Sequence, residues 1–91
     1  MENLKFTLTI ECIFNILTKG ILVTGRIDEG CIQQGDELEL LGDNTSQKVR
    51  CKILEKHLKA VSHAKKGEFV GIYLSDVSRS DLARGMRLVI K

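Results

Sequence analysis

Apolar and polar residues alternate without a fault from Leu4 to Cys12. Leu4, Phe6, Leu8, Ile10 and Cys12 share one face; Lys5, Thr7, Thr9 and Glu11 share the other. A period of two is that of a half-buried β-strand. Ile13, Phe14 and Ile16 follow, while Asn15, Thr18, Lys19 and Gly20 carry turn chemistry. Ile21 to Ile27 is apolar and β-branched and predicts a second strand. Gly25 lies inside it, where a bare Cα predicts a bulge or a close backbone approach. Asp28-Glu29-Gly30 reads as a turn, and Gly20, Gly30 and Gly35 stand where the chain is expected to reverse. Glu37 to Leu41 predicts a third strand, with Leu38 and Leu40 opposite Glu37 and Glu39.

Gly42-Asp43-Asn44-Thr45-Ser46 has the composition of a hairpin loop. Gln47 to Leu54 alternates again: Val49, Cys51 and Ile53 are predicted to face in, and Lys48, Arg50 and Lys52 out. Beyond it the pattern is ambiguous. Leu54, Leu58, Val61 and Lys65 are spaced like a helix face and the segment is rich in helix formers, which allows a helical turn near residues 60–64. Glu68 to Leu74 is a strand with Val70, Ile72 and Leu74 on one face and Phe69, Gly71 and Tyr73 on the other. Ser75 to Gly85 is a polar loop ending in the turn Asp81-Leu82-Ala83-Arg84-Gly85, and Arg87 to Ile90 is a last strand with Leu88 and Ile90 inward. Short strands at this spacing define an all-β barrel or sandwich.

The length of 91 residues sets one domain, 1–91, with a single modest core. No apolar run approaches the ~20 residues of a membrane helix. The N-terminus has an acid at position 2 and no small-residue cleavage site, so a cytoplasmic protein is expected. Cys12, Cys31 and Cys51 are odd in number and include no C-x-x-C, which argues against a disulfide framework and against zinc; two or three of them read as small hydrophobes in a barrel.

Charge changes the picture. Residues 1–46 carry three basic and eight acidic side chains, whereas residues 47–66 carry seven basic ones (Lys48, Arg50, Lys52, Lys56, Lys59, Lys65 and Lys66) against Glu55 alone. Such a segment is the electrostatic footprint expected for RNA or another polyanion. The alternative is a solvated strand face that protects an edge. No G-x-x-x-x-G-K-S/T is present, so neither GTP binding nor its hydrolysis is expected. His57 and His63 stand in the lysine-rich segment without a carboxylate or thiol at local spacing, and read as surface histidines.

The stretch GILVTGRIDEGCIQQGDELELLG, Gly20 to Gly42, resembles the start of the second domain of translational GTPases, elongation factor Tu most closely. Glu55, Ala64, Lys66-Gly67-Glu68, Val70-Gly71 and Asp81 to Met86 continue the likeness. The resemblance implies a small closed six-stranded β-barrel with Greek-key elements, in which the strand after Gln47 runs on to about His57 or Leu58 and then loops. It also implies a site. In elongation factor Tu this domain holds the aminoacyl end of transfer RNA with a Glu-Asp pair before a Phe, an Asn on a later strand, and a Glu and an Arg near the terminal adenosine. By position, Glu11, Phe14 and Glu55 match that family pattern. Cys12 stands for the Asp, Phe69 for the Asn, Leu58 for the Arg, and Leu17-Thr18 for a glycine-containing turn. With half the polar groups replaced, aminoacyl-tRNA binding by the same mechanism is not expected, because buried polar readout carries such specificity.

Three readings follow. The first is a non-catalytic module binding ribosomal RNA, transfer RNA or a translation protein through Lys48–Lys66, with no cofactor. The second is a protein–protein accessory barrel that docks on a separately encoded GTPase or other partner through the Phe14/Phe69 end. The third is a thiol- or metal-based enzyme using Cys12, Cys31 or Cys51.

Overall fold

β1 (Phe6–Thr9) starts a run of nine strands in the structure, a computed structural model that describes residues 4–91. Glu2, on which the reading of the N-terminus rests, lies outside the described residues. β2 is Cys12–Ile16, β3 Gly20–Gln33, β4 Glu37–Gly42 and β5 Thr45–Lys56. The short β6 (Lys59–Ala60) and β7 (His63–Lys65) precede β8 (Phe69–Ser75), a 3-10 turn at Arg79–Asp81, and β9 (Arg87–Ile90). Six of these close an antiparallel barrel in the order β1-β9-β4-β5-β8-β3, with β3 returning to β1. β3 and β4 follow each other in sequence but are not neighbours in the sheet, which gives the connection its Greek-key character. Phe6, Leu8, Ile27, Leu38, Leu54, Ile72 and Leu88 fill the interior with no measurable exposure beyond 1%.

The predicted first strand is two strands. Ile10 N–H donates to the Met86 carbonyl (2.8 Å) and Gly85 N–H to the Ile10 carbonyl (2.9 Å), which pins the chain at a corner. Glu11 N–H then donates to the Thr24 carbonyl (2.8 Å) although the register pairs Cys12 with Thr24, so two residues face one. This bulge advances the alternation by one. Ile13 packs against the core, and Cys12, expected inside, is exposed. Cys31 is exposed too; only Cys51 behaves as the small buried hydrophobe expected of two or three of them.

A second correction concerns Asp28-Glu29-Gly30. The chain does not reverse there but continues as β3. Thr7 faces Glu29 and Leu8 faces Ile27, leaving Asp28 as an extra residue whose carboxylate accepts from the Thr9 hydroxyl (2.9 Å). Gly30 sits at φ 78°, and a Cβ there would lie 1.8 Å from the Lys5 carbonyl oxygen. Gly25 makes the expected close approach: its Cβ would meet the Thr9 carbonyl oxygen at 2.3 Å. Acid-Gly composition therefore marks a bend in a strand that β1 crosses at contact distance.

β5 holds the third correction. Cys51 faces Leu74 and Ile53 faces Tyr73, so Lys52 is unpaired and the strand bulges. Val49 and Cys51 face in as predicted, but beyond the bulge Leu54 is fully buried and Ile53 only partly. The helix-like spacing of Leu54, Leu58 and Val61 produces no helix. The chain makes a two-residue turn at His57–Leu58 and returns as β6, with Val61 N–H donating to the Leu54 carbonyl (2.8 Å).

Candidate functional site

Outward residues of β3, β5 and β8 enclose a depression of about 220 Å³ on the barrel wall. Its floor is Gly71, which the register places between Thr24 on β3 and Glu55 on β5. A side chain there would fill the hollow, for a Cβ would stand 3.1 Å from Leu22 Cδ1. Leu22, Leu58 and Phe69 supply the apolar walls, with His57 at the rim. Phe69 is 47% exposed and Leu58 92%. Phe14 lies directly across the ladder from Leu22 and is 46% exposed. Glu55 is the charged group of the wall; its side chain is 13% exposed and stands 4.0 Å from Lys19 Nζ.

Leu58 reaches the rim at a cost. His57 and Leu58 have φ of 52° and 67°. Two-residue hairpin turns with positive φ at both central positions favour Asn-Gly, because a Cβ is strained there. A leucine held in that conformation and left in water is neither a turn residue nor a core residue.

The structure brings most of the family-pattern positions onto this one outer face. Glu55 and Phe69 line the depression, Phe14 borders it through Leu22, and Cys12 lies across from Thr24. Glu11 falls on the bulge, with its carbonyl accepting from Arg84 Nε (2.9 Å) and its side chain in solvent. Leu22, His57 and Gly71 were not read as site residues. The outward phase of the Ile21–Ile27 strand carries the signal for Leu22, an apolar residue on the solvent side.

The seven basic residues do not form one stripe. Lys48 and Arg50 face Glu39 and Glu37 across the β4–β5 ladder. Glu39 is held below the usual carboxylate range by the Ser46 hydroxyl, then by Lys91 and Lys48. Arg50 Nη1 donates to the Gly35 carbonyl (2.8 Å), and Lys52 Nζ donates to the Lys19 carbonyl (3.1 Å). Lys56 pairs with Glu68 (2.5 Å) and Lys66 with Glu29 (2.7 Å). Glu68 also accepts from the Lys65 N–H (2.8 Å), and these bonds, that of Lys56 foremost, lower its pKa. Lys59 and Lys65 are exposed on β6 and β7. Acids drawn from other strands thus intersperse a segment that is almost purely basic in sequence.

The thiols lie apart. Cys12 is on β2, Cys31 faces Lys65 near the far end of β3, and burial pushes the Cys51 thiol up to about 11. Among the described residues no group of three or more His, Cys, Asp and Glu side chains is placed to hold a metal ion. His63 Nδ1 is 3.0 Å from the Ser62 hydroxyl. Also among the described residues, no helix is long and apolar enough to cross a membrane.

A closed six-stranded antiparallel barrel of this kind is consistent with a translation-factor module. The family model described as Elongation factor Tu domain 2 matches residues 20–89, and the chain belongs to that family.

Proposed function

We propose that residues 1–91 form one non-catalytic binding module of the translation apparatus, working in the cytoplasm without nucleotide, metal or cofactor. Its partner is a protein surface, such as that of a GTPase, that seats an apolar side chain in the recess between Leu58 and Phe69. The observation that carries this is Leu58: strained at φ 67°, 92% exposed, and set on the rim of an apolar hollow. Backbone strain persists where the surroundings enforce it, and it clusters at functional positions. Replacing the polar groups of the family pattern by Cys12, Leu58 and Phe69 turns a site for a charged ligand into one for a greasy one.

The test is a titration of labelled chain with a purified translational GTPase and with ribosomal subunits, at about 50 and about 500 mM salt. Binding through the recess changes little with salt and falls at least ~30-fold in Phe69→Asn and Leu58→Arg, the scale of a hot-spot loss. Replacing His57-Leu58 by Asn-Gly relieves strain and raises stability by about 1–2 kcal/mol while weakening the partner. A gain in stability with undiminished binding would refute the role given to Leu58.

A second reading has its own observation. Lys48, Arg50, Lys52, Lys59 and Lys65 form no ion pair within 4.0 Å among the described residues, and all are exposed. They remain candidates for ribosomal RNA or transfer RNA phosphates, with Lys56 and Lys66 partly neutralised beside them. In that case changing Lys48, Arg50 and Lys52 to Gln flattens the salt slope by about 2–3 units. Phe69→Asn leaves it unchanged.

A further inference from the structure

β2 pairs with β3 along its whole length and, among the described residues, with no other strand. Its second edge is open. Open edges are templates for another strand, and proteins that stay single blunt them with lysine, proline or a bulge inside the edge. Cys12-Ile13-Phe14-Asn15-Ile16 contains no charge and no proline.

The phase of that edge follows from its ends. In an antiparallel ladder alternate residues bond to one side and their neighbours to the other. Lys19 N–H donates to the Ile16 carbonyl (3.1 Å) where Ile16 faces Gly20, and Glu11 N–H donates to the Thr24 carbonyl (2.8 Å) where Cys12 faces Thr24. Cys12, Phe14 and Ile16 thus bond inward to β3. Ile13 and Asn15 hold the outward N–H and C=O groups.

We infer that two copies of this chain associate by pairing β2 with β2, antiparallel, about a twofold axis through Phe14. That axis sets Ile13 of each copy opposite Asn15 of the other, and these are the residues with outward groups, so each pair exchanges both of its hydrogen bonds. Phe14 then meets Phe14 of the second copy as the non-hydrogen-bonded pair, where Cα atoms approach to about 4.5 Å and side chains lie closest. Aromatic cross-strand pairs of this kind are favourable, and the ring is now 46% exposed. Leu17, fully exposed at the hairpin tip, falls opposite Glu11 of the second copy. Backbone phase and ring pairing agree on one axis, which selects a second copy over an unrelated strand. The inference is independent of what the recess binds, since the edge and the recess open on different sides of Leu22.

Sedimentation equilibrium of the purified chain tests it, from about 1 µM to about 1 mM, a range that brackets weak self-association. The dimer fraction rises with concentration in the parent. Asn15→Pro removes an outward N–H that the β3 ladder does not use, and proline is tolerated on an edge strand. Phe14→Lys puts two cations across the axis. Each raises the dissociation constant at least ~100-fold, with the β-sheet circular dichroism retained. In a Cys12→Ser, Cys31→Ser background, Phe14→Cys forms a covalent dimer on oxidation and Asn15→Cys does not. If Asn15→Pro fails to fold, Phe14→Lys and the cross-link decide. A parent that stays monomeric to about 1 mM, a dimer that persists in both Asn15→Pro and Phe14→Lys, or cross-linking at position 15 but not at position 14 overturns the proposal.

Discussion

Leu54→Ala and Ile53→Ala, made separately, measure which way the far end of β5 faces. Strict alternation from Val49 puts Ile53 in the core; the unpaired Lys52 puts Leu54 there instead. Leu54 is fully buried across from Ile72, and Ile53 is partly exposed across from Tyr73. Truncating a leucine in a closed core removes its transfer energy and leaves a cavity, together about 2–5 kcal/mol. The barrel wall is hydrogen-bonded on both sides of Leu54, through β8 and through the β6 return, so little collapse is available and the upper half of that range applies. Ile53 is truncated at the surface, where no cavity forms. About half its buried area is at stake, worth roughly 1 kcal/mol. At this chain length each kcal/mol moves the melting temperature by about 4–8 °C. Leu54→Ala is therefore expected to melt at least ~12 °C below the parent, and Ile53→Ala within about 8 °C of it. Urea unfolding followed by circular dichroism gives the free energies, provided that the m-values agree. An Ile53→Ala variant as unstable as Leu54→Ala would show that the bulge is not where the register puts it.

Gly30→Ala is expected to cost 3 kcal/mol or more by the same assay, about the scale of a strained φ combined with overpacking, because its Cβ would lie 1.8 Å from backbone oxygen; Gly35→Ala, with φ also positive but open space around it, loses only about 1–2 kcal/mol. Thiol labelling modifies Cys12 and Cys31 in the folded protein and Cys51 only on unfolding. Since burial raises the Cys51 thiol to about 11 while an unfolded thiol ionises near ~8.5, the unfolded state loses its proton first on alkalinisation. Stability falls as pH rises above ~8.5, and Cys51→Ala has a flatter alkaline profile. Glu68 behaves oppositely: its pKa is depressed by Lys56 and the Lys65 N–H, so its contribution is present above the ordinary ~4.3 and is lost as pH falls through the lower folded value. The melting-temperature gap between parent and Glu68→Gln, present at pH 7, narrows as pH falls below the ordinary ~4.3.

Alternation in Leu38/Leu40, Val49/Cys51 and Val70/Ile72/Leu74 was sufficient to read an all-β barrel or sandwich, because each side chain alternates against a single core, and the family likeness was needed to choose the closed barrel. What escaped was every place where a strand inserts one residue. The bulges at Glu11, Asp28 and Lys52 each depend on a partner strand, so local pattern carries no trace of them. Each then flips the residues that follow: Cys12 outward, Leu54 inward. The recess was half legible. Glu55, Phe14 and Phe69 lay on family positions, but its floor depends on Gly71 meeting both Thr24 and Glu55, a coincidence of two registers. The basic run was fully legible as composition, and the acids set beside it were not, since Glu29, Glu37 and Glu39 arrive from other strands and Glu68 from the turn before β8, pairing only Lys56 and Lys66 within it.

β3 bonds to four strands, β2 and β1 along one side and β8 and β7 along the other. For amide hydrogen exchange this makes Val23, Gly25 and Ile27, whose N–H groups point to the β8 side as Ile27 N–H does in bonding to the Glu68 carbonyl, the slowest part of β3. Fraying of β2 does not free them, because the β8 ladder stays in place, and they exchange only when the barrel itself opens. β2 has a single ladder and can fray while the barrel stays closed. The chain thus joins its most protected backbone to a strand held by a single ladder through one three-residue hairpin turn. Anything that captures the β2 edge would be reported as slowed exchange at Ile13 and Asn15, with the protection of Val23, Gly25 and Ile27 rising only as far as global stability does.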